Sequence, residues 1–167
     1  GALLVRVIVT IPFVLPTVVV GVAFSALLGD RGPLSGLDLA ASVWAILLAH
    51  MFFNVAVVVR TVGSVWSGID PRSEQAARTL GAGPVRVFGT ITLPALAPAI
   101  ASAASVVFLF CATSFGVILI LGGGRYNTLE TEIYRQAIGF FQLPAAVALS
   151  MVQIVVVAVV VTLSAIL

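Results

Sequence analysis

Four stretches of this chain contain no Asp, Glu, Lys or Arg and are each long enough, at about 1.5 Å per helical residue, to cross a hydrocarbon layer of about 30 Å. They run from Val7 to Gly29, Leu39 to Val59, Val87 to Gly124 and Gln136 to Leu167. Backbone in lipid finds no water, so each stretch must pair its own N–H and C=O groups as a helix. The expected fold is all-α, a polytopic membrane bundle of four transmembrane helices. Charged residues are 8% of the sequence, against about 25% in a water-soluble domain, which places the chain in the membrane class. The third and fourth runs exceed one crossing, so part of each is expected in an interface, a re-entrant turn or a polar rim. The first is too long, and too poor in small-residue cleavage signals, for a signal peptide. The chain opens at Gly1 and closes inside "VVVAVVVTLSAIL", and it reads as a fragment of a larger membrane protein. A single cysteine, Cys111, excludes an internal disulfide and argues against a Cys-based metal site. Its simplest role is a small apolar packing residue.

Charge fixes an orientation. The loop from Arg60 to Arg86 holds Arg60, Arg72, Arg78 and Arg86 against Asp70 and Glu74, while the other two loops carry more acids than arginines. By the positive-inside rule this middle loop is cytoplasmic, and Arg6, ahead of the first run, agrees. Both chain ends then lie inside, and "GDRGPLSGLD" and "GGGRYNTLETEIYRQ" lie outside.

Within the middle loop, Asp70-Pro71 predicts a helix start, because Asp caps free N–H groups and Pro is tolerated at the first helical position. "RSEQAARTL" continues that helix, and "GAGP", Gly81 to Pro84, ends it. A second short helix, "VRVFGTI", follows and returns to the membrane at Leu93-Pro94. Composition alone allows a solvated connector. The spacing, however, resembles the cytoplasmic loop of ABC importer permeases, whose pattern is E-A-A, three residues, G, nine residues, I-x-L-P. Here Ala76-Ala77, Gly81, Ile91 and Leu93-Pro94 match, while Gln75 stands where the family has glutamate and Glu74 lies one position early. The resemblance implies a coupling loop over residues 70–90, with Glu74, Gln75, Ala76, Ala77, Gly81, Leu93 and Pro94 engaging an ATP-binding cassette ATPase subunit. "LLAHMFFNVAVVVRTV" and "LPAAVALSMVQ" are similar to the thiamine and ferric-iron branch of binding-protein-dependent permeases.

Polar residues inside the apolar runs are the remaining signal. His50 and Asn54 share a helix face, and polar groups at this depth face protein or a water-filled path. They suit packing or the lining of a translocation path. Ser102, Ser105, Thr113 and Ser114 offer the same pair of readings, close packing through small residues or a path. Pro12, Pro16, Pro94 and Pro98 remove backbone bonds and can bend helices. Asn127 with Glu130 has the spacing of a capping pair, so "TLETEIYRQAIGFF" reads as a short helix at the outer surface, solvated or acting as a lid. Gly122 to Gly124 is no phosphate loop, because neither a Lys-Ser/Thr nor a strand accompanies it.

The resemblance implies one domain over residues 1–167, the C-terminal part of one permease unit whose N-terminal spans are missing, in the bacterial inner membrane. It implies as partners ATPase subunits, a second permease unit (fused or a second copy), an extracytoplasmic binding protein and the lipid bilayer. The cargo would be thiamine or ferric iron. Catalytic residues, cofactors, metals and nucleic acid have no place in this reading. A secondary carrier or channel is the competing class; it would more often hold ionisable residues in its spans and would not need a coupling helix.

Overall fold

The computed structural model describes residue 10 and residues 12–166, with side chains through residue 163. Arg6, the start of the first apolar run at Val7 and the last residue of the fourth, Leu167, lie outside the described residues. The regular elements of the described residues are helices: α1 Thr17–Leu28, α2 Val43–Gly68, α3 Pro71–Thr79, α4 Pro84–Val87, α5 Leu93–Ala112, α6 Gly116–Leu121, α7 Leu129–Tyr134 and α8 Leu143–Ile166, with one 3-10 turn at Ser35–Leu37. Wide π turns, Phe88–Thr92 and Arg135–Gly139, extend α4 into α5 and follow α7. Among the described residues three helical segments are long and apolar enough to cross a membrane: Val43–Ser67, Pro84–Ala112 and Leu143–Leu163. The first run contributes the shorter apolar helix α1, which begins after the chain leaves helical geometry at Leu15 and Pro16.

The helices differ from the charge-free runs in three places. Leu39 to Val59 becomes α2, which starts at a Ser42 cap accepting from the Ala45 N–H at 3.2 Å and continues past Arg60 to Gly68. No residue in that stretch breaks a helix; the stop comes at Ile69-Asp70, where the following Pro71 disfavours helical geometry in the residue before it. The loop expected from Arg60 therefore begins at Ile69. The third run divides at Thr113 to Phe115 into the long α5 and the short α6, and the fourth becomes helix α8 only from Leu143.

α2 and α5 pack along one another, α1 against α6, and α7 against α8. Small residues accompany the first contact: Ala56 on α2, and Ala99 and Ala103 on α5, are buried. The main core gathers Val20 and Leu28 of α1, Ala45, Ile46 and Ala49 of α2, and Val117, Ile118 and Leu121 of α6. Here α1 and α6 meet almost backbone to backbone. A Cβ on Gly116 would stand 2.8 Å from the Val18 nitrogen, and one on Gly21 3.2 Å from the Gly116 carbonyl oxygen.

Candidate functional site: a polar connecting loop and a cavity at a broken helix

Between α2 and α5 the chain builds a rigid corner. The Asp70 carboxylate accepts from the Arg72 N–H at 2.9 Å, with Pro71 in the first turn of α3, as the sequence predicts. At the other end the Ala82 N–H reaches the Ala77 carbonyl and the Gly81 N–H the Arg78 carbonyl, both at 3.0 Å. This pair of bonds is the Schellman arrangement, which needs a left-handed residue after the helix. Gly81 supplies it, at φ +84°. α4 then begins at Pro84.

The corner is fastened by a residue that pattern reasoning did not single out. Thr92, buried in the second π turn's predecessor at Phe88–Thr92, donates its hydroxyl to the Glu74 carboxylate at 2.7 Å. Glu74 also lies 3.9 Å from Arg78, a pair too exposed to add much stability. Glu74 is thus turned toward the return helix, while Gln75 and Ala76 are exposed and Ala77 is half-buried. Leu80 and Val85 project from the tip at 88% and 85% exposure. Leu93 and Pro94 lie just beyond the π turn, where Leu93 N–H bonds the Phe88 carbonyl. Pro94 has no N–H and its ring crowds the carbonyl four residues back, and the widened turn directly before it is where that mismatch is absorbed.

The polar residues of the spans divide. His50, Thr113 and Ser114 line one cavity of about 290 Å³ at the break between α5 and α6, together with Phe13, Phe53 and Phe110. Asn54 and Ser105 are not among its lining residues. Asn54 is buried and donates to the His50 main-chain carbonyl at 2.9 Å and to Cys111 Sγ at 3.6 Å, so the two side chains do not bond one another. Ser105 and Thr113 donate to carbonyls one turn back, at 3.0 and 2.8 Å. His50 Nε2 and Ser114 Oγ are buried without a partner among the described residues. The three rings of Phe13, Phe53 and Phe110 touch pairwise, with centroids 5.7 to 6.4 Å apart. The wall they form carries no signal in a sequence already rich in apolar residues.

Beside the same helix break, α7 is capped one residue later than expected. Thr128, not Asn127, accepts from the Thr131 N–H, and Thr131 returns the contact to the Thr128 N–H in a capping box. The threonine register wins because Thr128 has a second bond, its hydroxyl donating to the Ser114 carbonyl at 2.9 Å, which ties α7 to the helix break. Gln153 of α8 donates to Glu130, and Glu132 accepts from Gln136 at 2.8 Å. Thr128, Glu130, Thr131 and Glu132 thus bond other protein groups, whereas Gln136 Oε1 is buried without a partner among the described residues.

Comparison with known proteins places these features in a family. The binding-protein-dependent transport system inner membrane component family matches residues 2–167. A Salmonella typhi protein, provisionally named as a 2-aminoethylphosphonate transport system permease, is 31% identical over 136 residues, covering 74% of this chain and 47% of that protein. The thiamine transport system permease protein of Haemophilus influenzae is 32% identical over 156 residues, 87% of this chain and 29% of its own length. The molybdenum transport system permease protein of Mycobacterium bovis is 34% identical over 165 residues, 93% of this chain and 62% of its own. The chain spans less than two thirds of each of these relatives. With apolar membrane-crossing helices, a capped polar connector and a match along nearly its whole length, the chain belongs to the binding-protein-dependent transport system inner membrane components.

Proposed function

We propose that the chain is the C-terminal part of one permease unit of an ATP-driven importer, and that residues 70–90 are the coupling loop gripped by a partner ATPase. The observation that carries this reading is the corner itself. A nine-residue helix is fixed at both ends and bonded to the return helix through Glu74 and Thr92, yet leaves Gln75, Ala76, Leu80 and Val85 uncovered. A rigid polar helix with apolar side chains at its tip suits a groove on another protein and serves no purpose in a slack connector. Gln75 at the family's glutamate position, with Glu74 turned inward, means that the partner meets a neutral amide there.

In this reading the chain has no catalytic residues; hydrolysis takes place on the ATPase subunits, and a second permease unit and an extracytoplasmic binding protein complete the importer. The cargo is a small solute. Thiamine is supported by the thiamine permeases among the relatives, whereas ferric iron rests on the sequence resemblance alone. The deciding experiment is uptake into proteoliposomes holding the full-length permease, the ATPase subunits and the binding protein. Uptake is expected to require ATP and the binding protein, and a cross-linker at Ser73→Cys should capture the ATPase. Uptake driven by an ion gradient without the ATPase would sink the proposal.

A further inference from the structure

The cavity at the break between α5 and α6 combines three features that packing alone does not require. The first is non-helical backbone at Thr113 to Phe115, following a helix long and apolar enough to cross the membrane. In membranes such a break is tolerated where the freed groups are covered by protein or line a cavity, and broken helices commonly frame transported solutes. The second is a pair of buried polar atoms without partners among the described residues, His50 Nε2 and Ser114 Oγ, the latter on a residue only 6% exposed. A buried polar atom left unpaired is costly, so both call for a partner from outside the described residues. The third is the wall of Phe13, Phe53 and Phe110.

We propose that this cavity is a solute-binding subsite for a planar nitrogen heterocycle, neutral or cationic, and not for an oxyanion. The proposal rests on the permease reading and deepens it by naming a substrate class. No Arg, Lys, Asp or Glu is among the lining residues. An oxyanion entering here would lose its hydration against aromatic rings with no cation in return. A heterocycle stacks on those rings, and a positive charge on it is attracted to their faces. Its ring nitrogens and amino groups can meanwhile pair with His50 and Ser114. The volume, about 290 Å³, sits at the small end of ligand cavities, which begin near about 300 Å³.

The test uses the full-length permease bound to its ATPase in nanodiscs, without binding protein, titrated calorimetrically with thiamine, molybdate and 2-aminoethylphosphonate. Thiamine is expected to bind saturably and the two anions not to. Phe110→Leu and Ser114→Ala should each weaken thiamine binding roughly tenfold, while Phe110→Tyr, which keeps the ring, retains it. Ser114→Ala should insert in the membrane at the parent level, because its hydroxyl has no partner to lose among the described residues. Absence of saturable thiamine binding, binding indifferent to both variants, or saturation by either anion overturns the proposal. ATP-driven uptake of an anion by the same complex would remove this subsite assignment and leave the importer standing. Loss of ATP dependence would remove the importer instead.

Discussion

At Gly81 a single torsion decides where the exposed helix ends. The residue sits at φ +84° with open space around the position of a Cβ, so a substitution there meets no neighbour and is opposed only by backbone geometry. Gly81→Val should raise the local free energy by about 1–2 kcal/mol, leave membrane insertion near the parent level, and loosen the ATPase or disconnect its hydrolysis from the loaded binding protein. ATPase stimulation and uptake in vesicles measure this, and parent-rate uptake would reduce the loop to a connector. Glu74 makes a different prediction. Removing its carboxylate leaves the Thr92 hydroxyl, 2% exposed, without its partner, so Glu74→Ala should destabilise the corner by about 1–3 kcal/mol. Thr92→Val should be milder, because Glu74 is half-exposed and can turn to water. Amide exchange across residues 71–92 should rise more in the first variant than in the second; the reverse order would exclude the bond as the fastening. Asp70, Pro71 and Gly81 were legible from sequence because their roles are local. Thr92 was not, since its partner lies eighteen positions away and only the folded corner brings the two together.

Among the elements, α6 departs furthest from what its sequence announces. "GVILIL" sits in a charge-free run that reads as the continuation of a transmembrane helix, and no residue in "CATSF" is a helix breaker of the strength of proline. The break comes from tertiary contacts: Thr128 bonds the Ser114 carbonyl, and Gly116 meets α1 at backbone distance. Gly116→Val should therefore overpack this contact, at about 1–3 kcal/mol. The Thr17 hydroxyl, the Val18 nitrogen and a Val18 methyl all stand closer than 3.0 Å to the position of its Cβ. Thermal unfolding of the purified permease in detergent should fall in temperature, and an unchanged midpoint would mean that α1 and α6 are less closely docked than described. Helix existence was thus readable from the apolar runs. Helix ends were readable where Asp, Pro or Gly marks them, as at α3, and unreadable where a distant side chain sets them, as at α5, α6 and α7. The capping box at Thr128 shows the same limit, because Asn127 and Thr128 both have suitable side chains and only the Ser114 carbonyl distinguishes them.

For the whole molecule, arginine placement predicts which face of the membrane each end meets. With Cys111 replaced by alanine, cysteine labels at Ser35 and Arg125 should react from outside the cell, and one at Ser73 only after the cytoplasmic side is opened. All three positions are exposed. Reversed labelling would invert the orientation and remove the proposed contact with a cytoplasmic ATPase. The class of the molecule, a helical membrane protein, was present in the apolar runs because lipid leaves a backbone few alternatives, and the binding-protein-dependent permease family in the spacing of the middle loop. The cavity was only half legible: His50, Thr113 and Ser114 are conspicuous in an apolar run, whereas its phenylalanines are not. The close contact between Gly21 and Gly116 also bears on how the protein is made. A chain threaded into the bilayer from its N-terminus delivers α1 long before α6. The six residues of α6 are too few to span lipid, and when they leave the insertion machinery a protein surface is already waiting to receive them. Order of synthesis thereby acts as an assembly instruction, with an earlier helix serving as the mould for a later one that has no stable place in the membrane by itself.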